Sequence, residues 1–315
     1  MERQRRDARR GLVYGPYLTV AEKCSITTSS GGACTLVRRK YLYPMPHTWQ
    51  QPRGKVREFS RRSRTRLQQT LCAMPIRQVQ KGMLFVTLTY PRDWPGEWTV
   101  WKRQLDTWLK RVRRRLPHAA GVWKLEPQKR GAPHFHLVVV GAPFMAKDWL
   151  SRSWYEAVGS EDPKHLAAGT NIQAVRSHKG VLSYAAKYTA KHQELPESWQ
   201  DGVGRWWGVF NRAGLDIQWQ THGLHDYEYY QVVRTLRRLI AHRPRPAGRG
   251  PPRPSPAGMW CVLGDVQARR VVALVTGNQS MAPIEPLSER NMPLRLSAAR
   301  TSVSVSQHRR LQGDG

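Results

Sequence analysis

Two short segments joined by a loop rich in proline, glycine and basic residues constrain this fold more than any other feature. AGVWKLE ends at Glu126, HFHLVVV begins at His134, and PQKRGAP lies between them. Branched and aromatic residues bounded by turn residues are typical of strands, so the pattern predicts an antiparallel hairpin. In its simplest register Glu126 faces His134, and Lys124 faces His136.

The hairpin brings two imidazoles and one carboxylate to one face of a sheet. His134 and His136 point the same way because strand side chains alternate, whereas Phe135 points to the opposite, apolar side. With Glu126 they make a half-open site for a divalent metal, which leaves positions for water or a phosphate oxygen. The alternative is two unrelated histidines on a strand. The facing carboxylate favours the metal site.

A second motif lies in SYAAKYTAKH, for which the alanines and lysines predict a helix. Residues four apart on a helix are neighbours, so Tyr184 and Tyr188 present two phenols on one face. Lys187 and Lys191 each follow a tyrosine by three residues. A nearby cation favours the phenolate and also attracts phosphate. By itself the motif is more typical of a plain helix surface than of a catalytic site.

Together the two motifs suggest phosphodiester transfer. The metal would polarise a scissile phosphate, and a tyrosine would attack it. The surrounding pattern predicts an α+β fold on a mainly antiparallel sheet. Its strands are expected at 83–90, 120–126, 134–140, 171–176, 204–212 and 215–220, and its helices at 98–116, 145–157, 183–192 and 229–243.

The charge indicates a polyanionic partner. The 315 residues include 52 Lys and Arg against 22 Asp and Glu, a formal net charge of +30 that is spread along the chain. Such an excess is typical of nucleic-acid binding. A high-GC genome would explain arginine in place of lysine, but not the shortage of acids.

Other compositional features narrow the class further. No apolar run approaches the roughly 20 residues needed to span a bilayer, and the basic start lacks the apolar segment of a secretory signal. Cys24, Cys34, Cys72 and Cys261 form no close CxxC pair, which favours free thiols. We therefore expect a cytoplasmic protein without a membrane partner.

Composition divides the chain into three parts. We expect a basic N-terminal extension over 1–80, within which 56–71 could form a basic-faced helix, and a catalytic domain over 81–243. Proline, glycine and arginine then dominate, so 244–315 is expected to be a linker and a mostly flexible tail. Apolar character returns over 259–276, which allows a small further element.

The order of three motifs resembles a known group. FVTLTY, EPQKRGAPHFHLVVV and YAAKYTAK match in sequence the motifs of rolling-circle replication initiators of the HUH endonuclease superfamily, and the paired tyrosines resemble the two-tyrosine phage and plasmid type. GRWWGVFNR also resembles a segment that follows the tyrosine helix in phage-type members. The resemblance covers roughly 83–243 and excludes both ends of the chain.

The resemblance implies an RRM-like antiparallel palm with helices on one face and Mg²⁺ or Mn²⁺ as the working ion. It implies nicking and rejoining of single-stranded or extruded origin DNA, through a 5′-phosphotyrosine link that frees a 3′-OH primer. His134 and His136 would be metal ligands, with Glu126 the third. Tyr184 and Tyr188 would be nucleophiles, and the two lysines phosphate or phenolate partners.

The resemblance also bears on partners. The chain has no GxxxxGK[ST] motif, so a host helicase is expected alongside the host polymerase, in the bacterial cytoplasm. Two other classes stay open. One is an HUH-type transposase or relaxase, although relaxases usually place tyrosine before a three-histidine motif. The other is a non-catalytic basic DNA-binding protein, which explains the charge but leaves the site residues unexplained.

Overall fold

The computed structural model of the chain describes residues 19–43, 58–75, 77–142, 144–177, 195–241 and 258–263, with the isolated positions 56, 180, 181, 184, 267, 270, 271 and 273. This part of the chain is α+β, with two antiparallel sheets and several helices. The strands are β1 (Thr19–Ser29), β2 (Ala33–Tyr43), β3 (Met83–Thr89), β4 (Ala120–Pro127), β5 (Pro133–Val140), β6 (Thr170–Ala174), β7 (Trp207–Phe210), β8 (Trp219–Leu224) and β9 (Gly258–Val262). The helices are α1 (Arg61–Ala73), α2 (Arg77–Gln80), α3 (Trp98–Arg115), α4 (Lys147–Val158), α5 (Pro163–Ala168) and α6 (Asp226–Ala241), with 3-10 turns at Glu197–Trp199 and Arg212–Leu215.

The five-stranded sheet has the order β6-β3-β5-β4-β7, with β5 in the middle. All its strand pairs are antiparallel. The sequence predicted each of these strands, with differences of a few residues at their ends. The helix expected over 183–192 lies outside the described residues except for Tyr184, which is helical.

Helices α3 and α4 cover one face of this sheet. Trp101, Leu105, Trp108 and Val112 of α3 recur at helical spacing and are all buried. They join the core that Leu84, Val86, Leu88, Phe135 and Leu137 form on that face of the sheet. The apolar side of α3 is therefore part of the core, as is usual for an amphipathic helix.

The opposite face of the sheet is covered in part by α1. Leu67 and Leu71 of α1 pack in a second core with Val122, Val138 and Val140. The expectation that helices cover only one face is therefore wrong. The expectation failed because α1 precedes the three motifs and lies in the segment expected to be an N-terminal extension. The basic residues of α1 obscure its apolar side in the sequence.

The four-stranded sheet joins parts of the chain that are distant in sequence. Its order is β8-β1-β2-β9, and α6 packs on one face through Val232 and Leu236 against Ile26 and Leu36. Strands β1 and β2 lie within the segment expected as an extension, and β9 lies within the segment expected as a tail. The domain boundaries near 80 and 243 stay predictions, but strand pairing crosses both of them.

The four cysteines are buried thiols, and none of them is joined in a disulfide among the described residues. Within the described ranges, no helix combines the length and the apolar character needed to cross a membrane.

Candidate active site

The hairpin of β4 and β5 has the register that the sequence predicted. Glu126 pairs with His134, and Lys124 pairs with His136. Phe135, between the two histidines, is fully buried in the core on the other face. The register therefore places four polar side chains on one face of the two central strands.

A tight connection fixes this register. The backbone N–H of Gln128 donates to the carbonyl of Ala132 (2.8 Å), and that of Gly131 donates to the carbonyl of Gln128 (2.9 Å). Gly131 has φ = 85°, a conformation that costs a glycine little. The indole N–H of Trp199 donates to the Gly131 carbonyl (3.1 Å) and ties the turn to the tryptophan core.

The carboxylate of Glu126 is buried and paired. Its side chain is 6% exposed and accepts a hydrogen bond from the Lys124 ammonium, which is 5% exposed. Its other oxygen lies 3.5 Å from Nε2 of His136. The Lys124 ammonium also lies 5.2 Å from the ring centroid of Phe59, just before α1. This face therefore holds a buried ion pair in contact with His136.

The ionisation of Glu126 follows from these contacts. Burial alone would raise the pKa of its carboxyl, but the hydrogen bond from His136 and the charge of Lys124 lower that pKa to about 2. The group is therefore a carboxylate at neutral pH, which is the form that binds a cation.

Two threonines of β3 hold the histidines from the neighbouring strand. Thr87 pairs with His136 and Thr89 pairs with His134. Their hydroxyls lie 3.4 Å and 3.2 Å from the corresponding Nδ1 atoms. The two imidazole centroids are 4.4 Å apart. Such contacts orient imidazole ligands and select their tautomer.

Sequence reasoning missed these threonines as site residues. The signal was present in FVTLTY, because a period of two puts Phe85, Thr87 and Thr89 on one face. Local sequence does not show that β3 lies next to β5, so the contact with the histidines could not be read from it.

The backbone of Thr89 is anchored from the helical layer. Its carbonyl accepts hydrogen bonds from the indole of Trp154 (2.8 Å) and from Nε2 of His165 (2.8 Å). Burial lowers the pKa of His165, so its ring is held neutral with the proton on Nε2. These two donors fix the end of β3 that carries Thr89.

Tyr184 lies on the same face of the sheet as the histidines. Its ring stacks on Phe85, with centroids 4.3 Å apart and planes at 15°. Phe85 is two residues from Thr87, a step of about 7 Å along the strand. The structure therefore places one of the predicted nucleophiles on the same face as the histidine pair, beside Phe85. Lys187, Tyr188 and Lys191 lie outside the described residues.

The carboxylate oxygens and imidazole nitrogens on this face suit a divalent ion, although they are not arranged as a complete metal centre in the described part of the chain. Nowhere in the described ranges do three or more His, Cys, Asp or Glu side chains already converge as a metal site. Glu126, His134 and His136 are adjacent, but Lys124 binds the carboxylate that a metal ion would share. The residues present therefore fit an oxygen- and nitrogen-bound divalent ion, in competition with the Lys124 ammonium.

The sequence is similar to replication proteins. Residues 83–193, which carry the histidine strand and the tyrosine segment, match the family model for replication-associated proteins of the ORF2 and gene-2-protein type. The chain is 29% identical over 194 residues to a protein of Xylella fastidiosa (strain 9a5c) named "putative replication protein", covering 53% of this chain and 63% of that one. It is 25% identical over 169 residues to the replication-associated gene-2 protein of Pseudomonas phage Pf3, covering 49% and 58%.

A second protein named "putative replication protein", from Xylella fastidiosa (strain Temecula1), is 26% identical over 193 residues, covering 53% of this chain and 68% of that one. The chain spans about three fifths of the length of these relatives. No solved structure matches it significantly. The matches support a phage or plasmid replication protein, and the residues that the family model matches include those of the candidate site.

Proposed function

We propose that this chain is a rolling-circle replication initiator that nicks and rejoins single-stranded or extruded origin DNA. One observation carries the proposal: Glu126, His134, His136 and Tyr184 share one face of the five-stranded sheet. The similarity to replication-associated proteins supports the same role. On this proposal the sheet is the RRM-like palm of an HUH endonuclease.

The chemistry is a transesterification by tyrosine. The phenolate oxygen of Tyr184 or Tyr188 attacks the scissile phosphorus, and a bond forms between that oxygen and the 5′-phosphate. The bond from phosphorus to the 3′ oxygen breaks, and the released 3′-OH takes up a proton and can prime a host polymerase. Attack of a 3′-OH on the phosphotyrosine reverses the step and rejoins the strand.

The remaining site residues have supporting roles. His134, His136 and Glu126 would hold Mg²⁺ or Mn²⁺, which as a Lewis acid offsets negative charge on the phosphate. Thr87 and Thr89 keep the two imidazoles oriented. Lys187 and Lys191 would neutralise the phosphate or favour the phenolate. A host helicase would unwind the duplex in the bacterial cytoplasm.

A covalent adduct tests this proposal. Overlapping single-stranded oligonucleotides that tile the replicon encoding this chain are labelled at the 3′ end and incubated with the protein and Mn²⁺. One of them should transfer its label to the protein, because the fragment downstream of the nick keeps the 5′-phosphate. The same oligonucleotide labelled at the 5′ end should give a shorter product that a polymerase can extend.

Matched variants locate the activity. His136→Ala and the double variant Tyr184→Phe/Tyr188→Phe should form no adduct, whereas His118→Ala, an exposed histidine outside the site, should react as the native protein does. DNA binding should survive in all of them, because phosphate contacts of Lys and Arg supply it. Binding without an adduct on any oligonucleotide would show a non-catalytic DNA-binding protein.

A further inference from the structure

The four-stranded sheet has one face packed on α6 and one face turned away from it. Because strand side chains alternate, Ile26 and Leu36 point into the core under α6, and their neighbours point outward. We call the outward side the outer face. Helix α1 contacts this face at Ala33 and Thr35, and beyond that contact the face is formed by Lys23, Ser25, Thr27, Val37, Arg39, Trp219, Thr221 and Gly223.

Two cations sit directly opposite each other on this outer face. Lys23 pairs with Arg39 across β1 and β2, and both are exposed. Like charges in facing positions destabilise a sheet. Neither side chain makes an ion pair with an acidic residue in the described ranges, and none of the described side chains of the face is acidic. Since no described acidic residue compensates it, this pair is suited to neutralising phosphates.

An aromatic side chain stands at the other end of the same face. Trp219 begins the edge strand β8 and is 46% exposed, which is unusual for a large apolar ring. It is separated from the Lys23–Arg39 pair by about 20 Å along the strands. The surface between them carries only short side chains. Thr27 and Thr221 are joined by a hydrogen bond of 2.9 Å, and a Cβ added at Gly223 would contact nothing within 4 Å.

Helix α1 connects the outer face to the candidate active site. Ala33, on the outer side of β2, packs in one core with Leu67 and Leu71 of α1 and with Val138 of the central strand β5. Tyr184 packs against this same core. Gln69 of α1 also donates to the Thr35 hydroxyl on β2 (3.4 Å). Helix α1 therefore contacts the outer face and also belongs to the core against which Tyr184 packs.

We propose that the outer face is a second binding surface for single-stranded DNA, on which bases stack on Trp219 and phosphates contact Lys23 and Arg39. A low, polar surface that combines an exposed aromatic ring with cations suits unpaired bases better than a duplex, because only unpaired bases offer a free π-face. The inference rests on the proposed function for its choice of DNA. In that setting the surface holds the strand outside the site of cleavage.

Binding without cleavage tests this surface. The probe is a 30-nucleotide oligo-dT, titrated by fluorescence anisotropy in EDTA over a range of salt concentrations. Lys23→Gln/Arg39→Gln should reduce the slope of log affinity against log salt by about 1.4, since each phosphate on a single strand contributes about 0.7. Trp219→Ala should weaken binding about tenfold, and Trp219→Phe should recover most of this loss.

The control is Lys147→Gln/Arg152→Gln, which removes two exposed charges from α4, on the helical side of the five-stranded sheet. This variant should keep nearly the native slope. Lys23→Gln/Arg39→Gln should melt at the native temperature or above it, because it removes a repulsion, so a weaker affinity cannot be attributed to unfolding.

Three results would overturn the proposal. The first is an outer-face double variant whose slope equals that of the α4 control. The second is an unchanged affinity in Trp219→Ala. The third is an equal loss of affinity for a 30-base-pair duplex, which would assign the face to double-stranded DNA. Failure of the proposed function looks different, because binding through Trp219 would persist while no oligonucleotide forms an adduct.

Discussion

Lys124 and Glu126 lie two residues apart on β4 and form a buried ion pair beside His136. The ammonium is a built-in cation at the carboxylate where a metal ion would bind. Its presence stabilises Glu126 in the absence of metal, because an unpaired buried carboxylate would be costly. A bound metal ion and the ion pair would therefore compete for one side chain.

We expect Lys124→Met to make the protein more dependent on metal. Without metal the variant should lose about 3–5 kcal/mol of unfolding free energy, because a buried carboxylate is left without its partner. Mn²⁺ should restore much of this loss, so the rise in melting temperature with Mn²⁺ should be larger than in the native protein. Lys129→Met, in the exposed turn after β4, should behave like the native protein. An equal Mn²⁺ response in both variants would show that Glu126 is not a ligand.

The two tyrosines should share the cleavage reaction. Tyr184 and Tyr188 are expected to lie one helical turn apart, so both phenols can reach the same phosphate in turn. Tyr184→Phe and Tyr188→Phe should each leave some cleavage of an origin oligonucleotide, while the double variant leaves none. Complete replication cycles should fail in both single variants. If one single variant is inactive and the other is normal, only one tyrosine is a nucleophile.

Because Tyr184 stacks on Phe85, a substitution of Phe85 should slow cleavage by Tyr184 and leave cleavage by Tyr188 unchanged. Phe85→Leu removes an aromatic contact of about 0.5–1.5 kcal/mol, so cleavage by Tyr184 should slow by about two- to tenfold. This loss should appear in a Tyr188→Phe background, where only Tyr184 can react. In a Tyr184→Phe background the rate should not change, and Phe85→Tyr should be close to native. A similar loss in both backgrounds would mean that Phe85 supports the sheet in general.

Lys102 lies on the face of the five-stranded sheet opposite the histidines, and its effect on stability should depend on pH. Its ammonium lies 4.6 Å from the Trp123 ring centroid and 5.5 Å from that of Phe135, and burial lowers its pKa to about 7. Between pH 7 and about 10.5 the unfolded chain binds a proton that the folded chain lacks, so this group makes stability rise with pH across that window.

We therefore expect Lys102→Met to stabilise the protein by about 1–3 kcal/mol at pH 6.5, with the gain shrinking towards pH 9.5. Urea unfolding of the native and variant proteins at the two pH values measures the difference. Arg103→Met, exposed on the same helix, is the control and should show no such trend. A gain that is equal at both pH values would mean that the pKa of Lys102 is not lowered in the folded protein.

The local sequence pattern was sufficient to predict the hairpin of β4 and β5, but it could not predict which strand lies next to that hairpin. A short turn sets which residues of β4 and β5 face each other, so the pairing of Glu126 with His134 could be predicted. Thr87 and Thr89 could be placed on one face of a strand, but their contact with the histidines depends on β3 lying next to β5. That neighbour relation is set by the folded chain, more than 40 residues away in sequence.

Lys102 and the hairpin of β1 and β2 show two other limits of prediction from local sequence. Helical periodicity puts Lys102 among the polar residues of α3, yet its long aliphatic stem allows the charge to reach Trp123. TVAEKCSITTS and ACTLVRRKYLY carry charges that indicated a basic extension. Their strand character depends on pairing with β8 and β9, which no local pattern reveals.

The same pairing governs the order in which the chain can fold during synthesis. Every strand of the five-stranded sheet has been made once Phe210 is added, whereas β1 and β2 wait as a hairpin with two open edges until β8 and then β9 emerge from the ribosome. At typical translation rates of about 5–20 residues per second, that hairpin is exposed for roughly 10–40 seconds. Open strand edges pair readily with other chains, so a nascent-chain chaperone should matter more for this N-terminal hairpin than for the five-stranded sheet made after it.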